Sequence, residues 1–164
     1  MASTTSTNTD VVLRLVDALN KADYDALRAG YADHVWERFP DATVEGVEAI
    51  VEYFRGVHAA FPDLHIDVLH TAEQGESVFM RSEINGTHTG APFAGLVATG
   101  KAIRVAAIDH FTISDGKMAS NFVVFDQLEF GRQLGLMPPD GSPPDRALKA
   151  VFNGVTSLRA RLKR

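Results

Sequence analysis

Nothing in this chain restricts its folding more than the segment from Val105 to Phe130, where two β-prone runs meet at Ser114-Asp115-Gly116-Lys117. Asp-Gly between alternating apolar runs signals a two-residue hairpin. Both central residues of a type I′ turn need positive φ, which glycine adopts freely and aspartate tolerates. With Asp115 and Gly116 as the loop, Ser114 pairs with Lys117, Asp109 faces Phe122 and Val105 faces Asp126. Alternation then puts Asp109, Phe111, Ile113, Met118, Phe122, Val124 and Asp126 on one face, and Asn121, Val123 and Phe125 on the other beside Ile108. The first face is apolar except for Ser120 and two carboxylates, which are costly there unless paired or used. A rival register has a three-residue loop with Gly116 in a bulge. It pairs Ile113 with Lys117 and sets His110, not Asp109, beside Asp126. The first register is preferred because it keeps Phe111 and Ile113 with Met118 and Phe122.

The chain has 164 residues, 45% of them hydrophobic and 23% charged, which fits one soluble globular domain with a sizeable core. No run approaches the roughly 20 apolar residues that span a bilayer, so no membrane association is expected. The opening MASTTSTNTD has neither a basic nor an apolar region of the secretory kind. There is no cysteine, which removes disulfides, thiol nucleophiles and thiolate metal sites together and suits a cytoplasmic protein. Net charge is −5, yet the stretch from Asp145 to Arg164 holds six basic residues against one acid. Such a tail could meet nucleic acid. A solvated helix end, its cations favoured by the helix dipole, is the simpler reading, and no nucleic-acid partner is expected.

Residues 1–9 are small, polar and unpatterned, and read as a disordered N-terminus. Thr9 or Asp10 can cap a helix carrying Val11, Val12, Leu15, Val16 and Leu19; a second helix carries Tyr24, Leu27 and Tyr31; a third runs from Ile50 to Ala60. Strands are expected at His34 to Phe39, Leu64 to His70 and Ser77 to Thr87, then in the hairpin, with a Gly/Pro-punctuated loop at 90–100. Three helices followed by mostly consecutive antiparallel strands predict an α+β domain over residues 10–136, its curved sheet wrapping the helices. Residues 137–164 form a Pro-rich linker and an amphipathic helix with Leu148, Val151, Phe152, Val155, Leu158 and Leu162. That helix could pack over the domain, cover a pocket mouth or enter a dimer interface.

Several segments resemble SnoaL-like polyketide cyclases of the nuclear transport factor 2-like superfamily: AFPDL at 60–64, GTHTGAPFAGL at 86–96, ATGK at 98–101, SDGKM at the turn and FDQLEFGRQLG at 125–135. The resemblance covers roughly residues 10–136 and implies a cone-shaped α+β fold, a small hydrophobic polyketide-like substrate, no cofactor and a homodimer paired through outer sheet faces. It also implies an Asp acid/base before the helical QLG ending, the position of Asp126; the His often found five residues earlier is Asn121 here. AIDHF at 107–111 is similar to the ketosteroid isomerase strand bearing a protonated oxyanion-hole Asp, which falls on Asp109. The isomerase Tyr and general-base positions fall on Leu15 and Phe39, so steroid isomerisation is not expected.

The expected catalytic pair is therefore Asp126 as base and Asp109 as a neutral donor to a developing enolate oxygen, in an aldol-type cyclisation or related proton transfer. The simpler roles are a helix cap for Asp126 and a sheet hydrogen bond for Asp109. Glu37, Phe39, His88, Phe111 and Phe122 are the candidate substrate-binding residues. Glu37 and Phe39 share a strand parity, and His88 in GTHTG could sit at the pocket rim or be a satisfied turn histidine. Six histidines on different elements, without HxH or HExxH spacing, predict no metal site. Two alternatives remain. One is an epoxide hydrolase built on an Asp-Arg-Asp set, with Arg81 or Arg104 pointing inward; the other is a non-catalytic binder of hydrophobic ligands.

Overall fold

The computed structural model describes residues 7–162. Helix α1 (Asn8–Asn20) starts earlier than the expected Thr9 or Asp10 cap. Thr7 caps it in a reciprocal capping box with Asp10, and Val12, Leu15 and Val16 form its buried stripe. Residues 7–9 thus belong to the helix and its cap; the rest of the expected disordered stretch, residues 1–6, lies outside the described residues. Helix α2 (Tyr24–Gly30) is capped by Asp23, and α3 (Val47–Ala60) buries Ile50, Val51 and Phe54.

Strands β1 (Tyr31–Arg38), β2 (Thr43–Glu45), β3 (His65–Gln74), β4 (Ser77–Thr87), β5 (Ala102–Ser114) and β6 (Lys117–Phe125) form one sheet in the order β2-β1-β6-β5-β4-β3. Sequential strands pair antiparallel as expected, apart from β2 and β3, which form the two edges of the sheet, and β1 lies parallel to β6. The sheet is curved and unclosed, and its concave face holds α1 and α3 around a core including Leu27, Val35, Ile113 and Met118. Tyr31, expected on a helix face with Tyr24, opens β1 instead and is buried. After β6 come α4 (Gln127–Leu134) and α5 (Pro143–Leu162), the second standing clear of the sheet: every residue from Arg146 to Leu162 is exposed.

The Asp115-Gly116 turn forms as read, with both φ values positive and Ser114 opposite Lys117. The ladder does not stay in phase. Ile113 faces Met118, but Thr112 faces Ser120, so Ala119 is the extra residue of a β-bulge. Beyond it every β6 side chain changes face relative to the expected register. Asp109 lies opposite Val123, not Phe122. Asn121, Val123 and Phe125 turn inward, while Phe122 and Val124 go outward and are nearly half exposed. His110 is also outside, stacked on Phe79 and bonded to Ser77; the rival register fails at the turn, where Ser114 and not Ile113 faces Lys117.

Asp126 falls just past the strand, where it caps α4: its Oδ1 accepts hydrogen bonds from the Leu128 and Glu129 amides. Asparagine caps about as well as aspartate. Asp126→Ala is therefore expected to cost about 0.5–2 kcal/mol and Asp126→Asn only a few tenths, as measured by urea denaturation of the three proteins.

Candidate functional site

Between the helices and the concave sheet face lies a cavity of about 130 Å³. Its wall is mainly hydrocarbon, from residues such as Leu15, Phe39, Phe54, Met80 and Phe111, and its polar side chains are Tyr31, Glu37, Tyr53, Ser82, Asp109 and Asn121. Strand alternation explains the entry of Glu37 and Phe39. Val35, Glu37 and Phe39 point inward and are buried, while Trp36 points out. Asn121 is opposite Glu37 across the parallel β1–β6 ladder and opposite Phe111 across β5–β6, one step diagonal from Asp109.

One amide nitrogen thereby reaches two carboxylates. Asn121 Nδ2 donates to Asp109 Oδ1 at 3.1 Å and to Glu37 Oε2 at 3.3 Å, and the Tyr31 hydroxyl donates to Glu37 Oε1 at 3.1 Å. Burial dominates the electrostatics. It pushes Glu37 up to about 7, against hydrogen bonds from Asn121 and Tyr31 that favour its ionised form; the Asp109 charge adds a smaller upward push. Asp109 is pushed up to about 6 by burial, opposed only by the Asn121 bond. The Tyr31 hydroxyl is held strongly in its neutral form, first by burial and then by the adjacent Glu37. Two further polar atoms, Ser82 Oγ and Asn121 Oδ1, are buried without a hydrogen-bond partner in the protein. A wall of this kind can exchange protons near neutral pH, stabilise a developing oxyanion and bind ligand oxygens.

Of the residues singled out from the sequence, the cavity brings together Asp109, Glu37, Phe39 and Phe111. Three are elsewhere. Asp126 is exposed and occupied as a cap, because the strand ends before it. Phe122 is on the outer face, because the bulge reverses its parity. His88 is fully buried behind the wall, stacked on Phe61 and bonded through Nε2 to the Ala91 carbonyl, a satisfied turn histidine and not a rim residue. Asn121, Tyr31, Tyr53 and Ser82 were missed. The available signal for Asn121 was a lone amide in the apolar strand Asn121 to Phe125, at the position the cyclase resemblance marks with a His. Arg81 is exposed, and Arg104 is exposed and paired with Glu83, so neither arginine wanted for an Asp-Arg-Asp set points inward. Leu15 and Phe39 both line the cavity and supply neither phenol nor base there. Among the described residues no three His, Asp or Glu converge as a metal site would require.

Both buried carboxyls bind protons more tightly in the folded protein than the ordinary values of 4.5 for Glu and 3.8 for Asp. Their contribution to stability is therefore complete in acid below about pH 4 and is lost as pH rises through about 6 to 7. The loss should be on the order of a few kcal/mol and should shrink in Glu37→Gln and Asp109→Asn, when stability at about pH 5 is compared with that at about pH 8. Equal pH dependence in the wild type and both variants would refute the assignment.

Comparison with known proteins places this geometry in a lineage. The family model for SnoaL-like polyketide cyclases matches residues 9–134. No curated protein sequence matches. Among solved structures, a proposed SnoaL-like polyketide cyclase from Jannaschia sp. CCS1 superposes with a TM-score of 0.73 at 24% identity, covering 80% of this chain and 93% of its own. TsrD from Streptomyces laurentii gives 0.71 at 25% identity, covering 79% and 95%. AclR, a proposed hydroxylase from Streptomyces galilaeus, gives 0.71 at 22% identity but covers 96% of this chain and 97% of its own. That last match is long enough to run into α5.

Proposed function

Because this chain belongs to the SnoaL-like polyketide cyclase family, we propose that it is an acid/base enzyme that closes a ring, or makes a related proton-transfer rearrangement, in a polyketide-like substrate. The observation that carries the proposal is the pair Glu37 and Asp109, buried in an apolar cavity and held by one Asn121 amide. Two carboxyls with raised and unequal proton affinities can divide the labour of an aldol step. Asp109, the more acidic, is the base that removes a proton α to a carbonyl. The resulting enolate carbon attacks a second carbonyl, and Glu37 donates its proton to the alkoxide formed there. Exchange with solvent returns the pair to its starting state. The chemistry needs proton transfer and positioning, which a shaped apolar cavity supplies, and calls on no redox or group-transfer reagent. The Ser82 hydroxyl is available to donate to a substrate oxygen, and Asn121 Oδ1 to accept from a substrate hydroxyl.

The base role expected for Asp126 passes to Asp109 in this reading, because Asp126 is outside the cavity. A cytoplasmic homodimer is part of the same proposal. Its support is the outward apolar patch of Trp36, Phe79, Ile108, Phe122 and Val124 on the sheet, a face able to meet its own copy.

The test is hydrogen–deuterium exchange at the α-carbon of 1-tetralone, a compact aryl ketone, followed by NMR. Asp109→Asn should lower the catalysed rate by roughly 10²–10⁴-fold and Glu37→Gln by at least about 10-fold, while Asp126→Asn stays within about twofold of the wild type. Catalysed exchange that survives Asp109→Asn, or fails in Asp126→Asn, would overturn the assignment. No catalysed exchange above buffer would favour a non-catalytic binder.

A further inference from the structure

The two carboxyls leave part of the cavity unexplained. Ser82 Oγ and Asn121 Oδ1 have no hydrogen-bond partner in the protein, although both side chains line the cavity and are buried, Ser82 to 1% exposure and Asn121 to 5%. An unpaired polar group weakens a fold, so each of these atoms points to a partner that enters the cavity. Their chemistry differs. The Asn121 nitrogen is committed to Asp109 and Glu37, so its oxygen, which can only accept, calls for a hydroxyl. Ser82 has a proton to donate, and its neighbours offer no acceptor side chain: Met80 and Ile84 flank it on the inward face of β4, and Ala107 is opposite on β5.

Sheet geometry sets the two atoms on a line that passes Asp109. Ser82 faces Ala107, Ala107 faces Phe125, and Asn121 is four residues before Phe125 on β6. At ~4.8 Å per strand and ~3.4 Å per residue the two Cα atoms are roughly 16 Å apart, and the side-chain tips converge on the concave side. Asp109 is on the strand between them, two residues from Ala107 and bonded to Asn121 Nδ2. We propose that the cavity is built for a hydroxy ketone lying across these strands, its carbonyl oxygen accepting from the Ser82 hydroxyl and its hydroxyl donating to Asn121 Oδ1. The reverse orientation would bring two acceptors together at Asn121. A carbonyl on Ser82 also turns its α-carbon toward Asp109, while Phe39, Phe54 and Phe111 enclose the carbon skeleton. The inference rests on the acid/base reading for the role of Asp109. It deepens that reading by naming the substrate class and by assigning Ser82 as the residue that positions the carbonyl.

Calorimetric titration tests this without turnover, using three ligands of one carbon skeleton. These are 6-hydroxy-1-tetralone, 1-tetralone (which lacks the hydroxyl) and 6-hydroxytetralin (which lacks the ketone). The wild type should bind the hydroxy ketone about tenfold more tightly than either of the others, the weight of one well-placed hydrogen bond. In Ser82→Ala the hydroxy ketone and 6-hydroxytetralin should bind within about twofold of each other, while the advantage over 1-tetralone persists. The ligand-free variant should melt no lower than the wild type, because it loses an unpaired hydroxyl and no bond. Four results would overturn the inference: no binding of any of the three, equal affinities in the wild type, a ketone advantage that survives Ser82→Ala, or a clear fall in that variant's melting temperature. Selective binding by a protein that catalyses no deuterium exchange would instead refute the acid/base reading and leave the ligand class standing.

Discussion

One extra residue in β6 decides what the cavity contains. The Asp115-Gly116 turn brings β5 and β6 together in a register that would send Phe122 and Val124 inward; the bulge at Ala119 sends Asn121, Val123 and Phe125 there instead. The exchange replaces a phenyl ring with a carboxamide at the one place where β1 and β5 both present carboxylates. Without that amide Glu37 and Asp109 would face each other across hydrocarbon with little to hold their charge. The β1–β6 ladder breaks phase in the same region, between Tyr31 and Trp36, so both neighbours of β6 absorb the irregularity near the site. Small side chains at Ala119 and Ser120 make the break cheap.

Buried carboxyls weaken a fold, and this one carries two in a single cluster. The cost is tolerable because each proton affinity can rise until the neutral form dominates at moderate pH, and because one amide serves both groups. In the proposed mechanism the same compromise creates reactivity. A fully satisfied pair would be inert, and a fully exposed pair would titrate in acid and be poor bases near neutrality. Burial by Phe39, Phe111 and Met80 moves both groups toward neutrality, at the expense of stability as pH rises through about 6 to 7. Structure and chemistry thus draw on one interaction, and a substitution that relieves the first removes the second.

Much of the fold was legible from local chemistry. The hairpin turn, the buried stripe of α1, the inward parity of Glu37 and Phe39, and the placing of Asp109 with Phe111 all follow from spacing and turn residues. The parallel pairing of β1 with β6 was not legible, because it joins residues far apart in the chain and leaves no periodic trace. Nor was the bulge: alternation determines faces only while the ladder is unbroken, and Ala119-Ser120 reads equally well in either phase. That single ambiguity misplaced Phe122 and hid Asn121. His88 was left open between two placements for another reason. A histidine in a glycine-rich turn can equally be a rim residue or a packed ring, and only the Phe61 contact decides.

Asp126 shows how a resemblance and a geometry can disagree. A family pattern fixes a residue by its distance from the QLG ending, which is a distance along the chain. Catalysis requires a distance in space, and the last strand gives way to α4 at Asp126. A carboxylate there satisfies two helical amides and stands in water, outside the cavity. In the proposed reading the acid and base are instead two strands apart, Glu37 on β1 and Asp109 on β5, with the Asn121 amide of β6 bonded to both. A cone of this kind can relocate its acid and base, since any inward position on its strands faces the same enclosed space. The fold preserves the cavity, and the side chains that enter it set the chemistry.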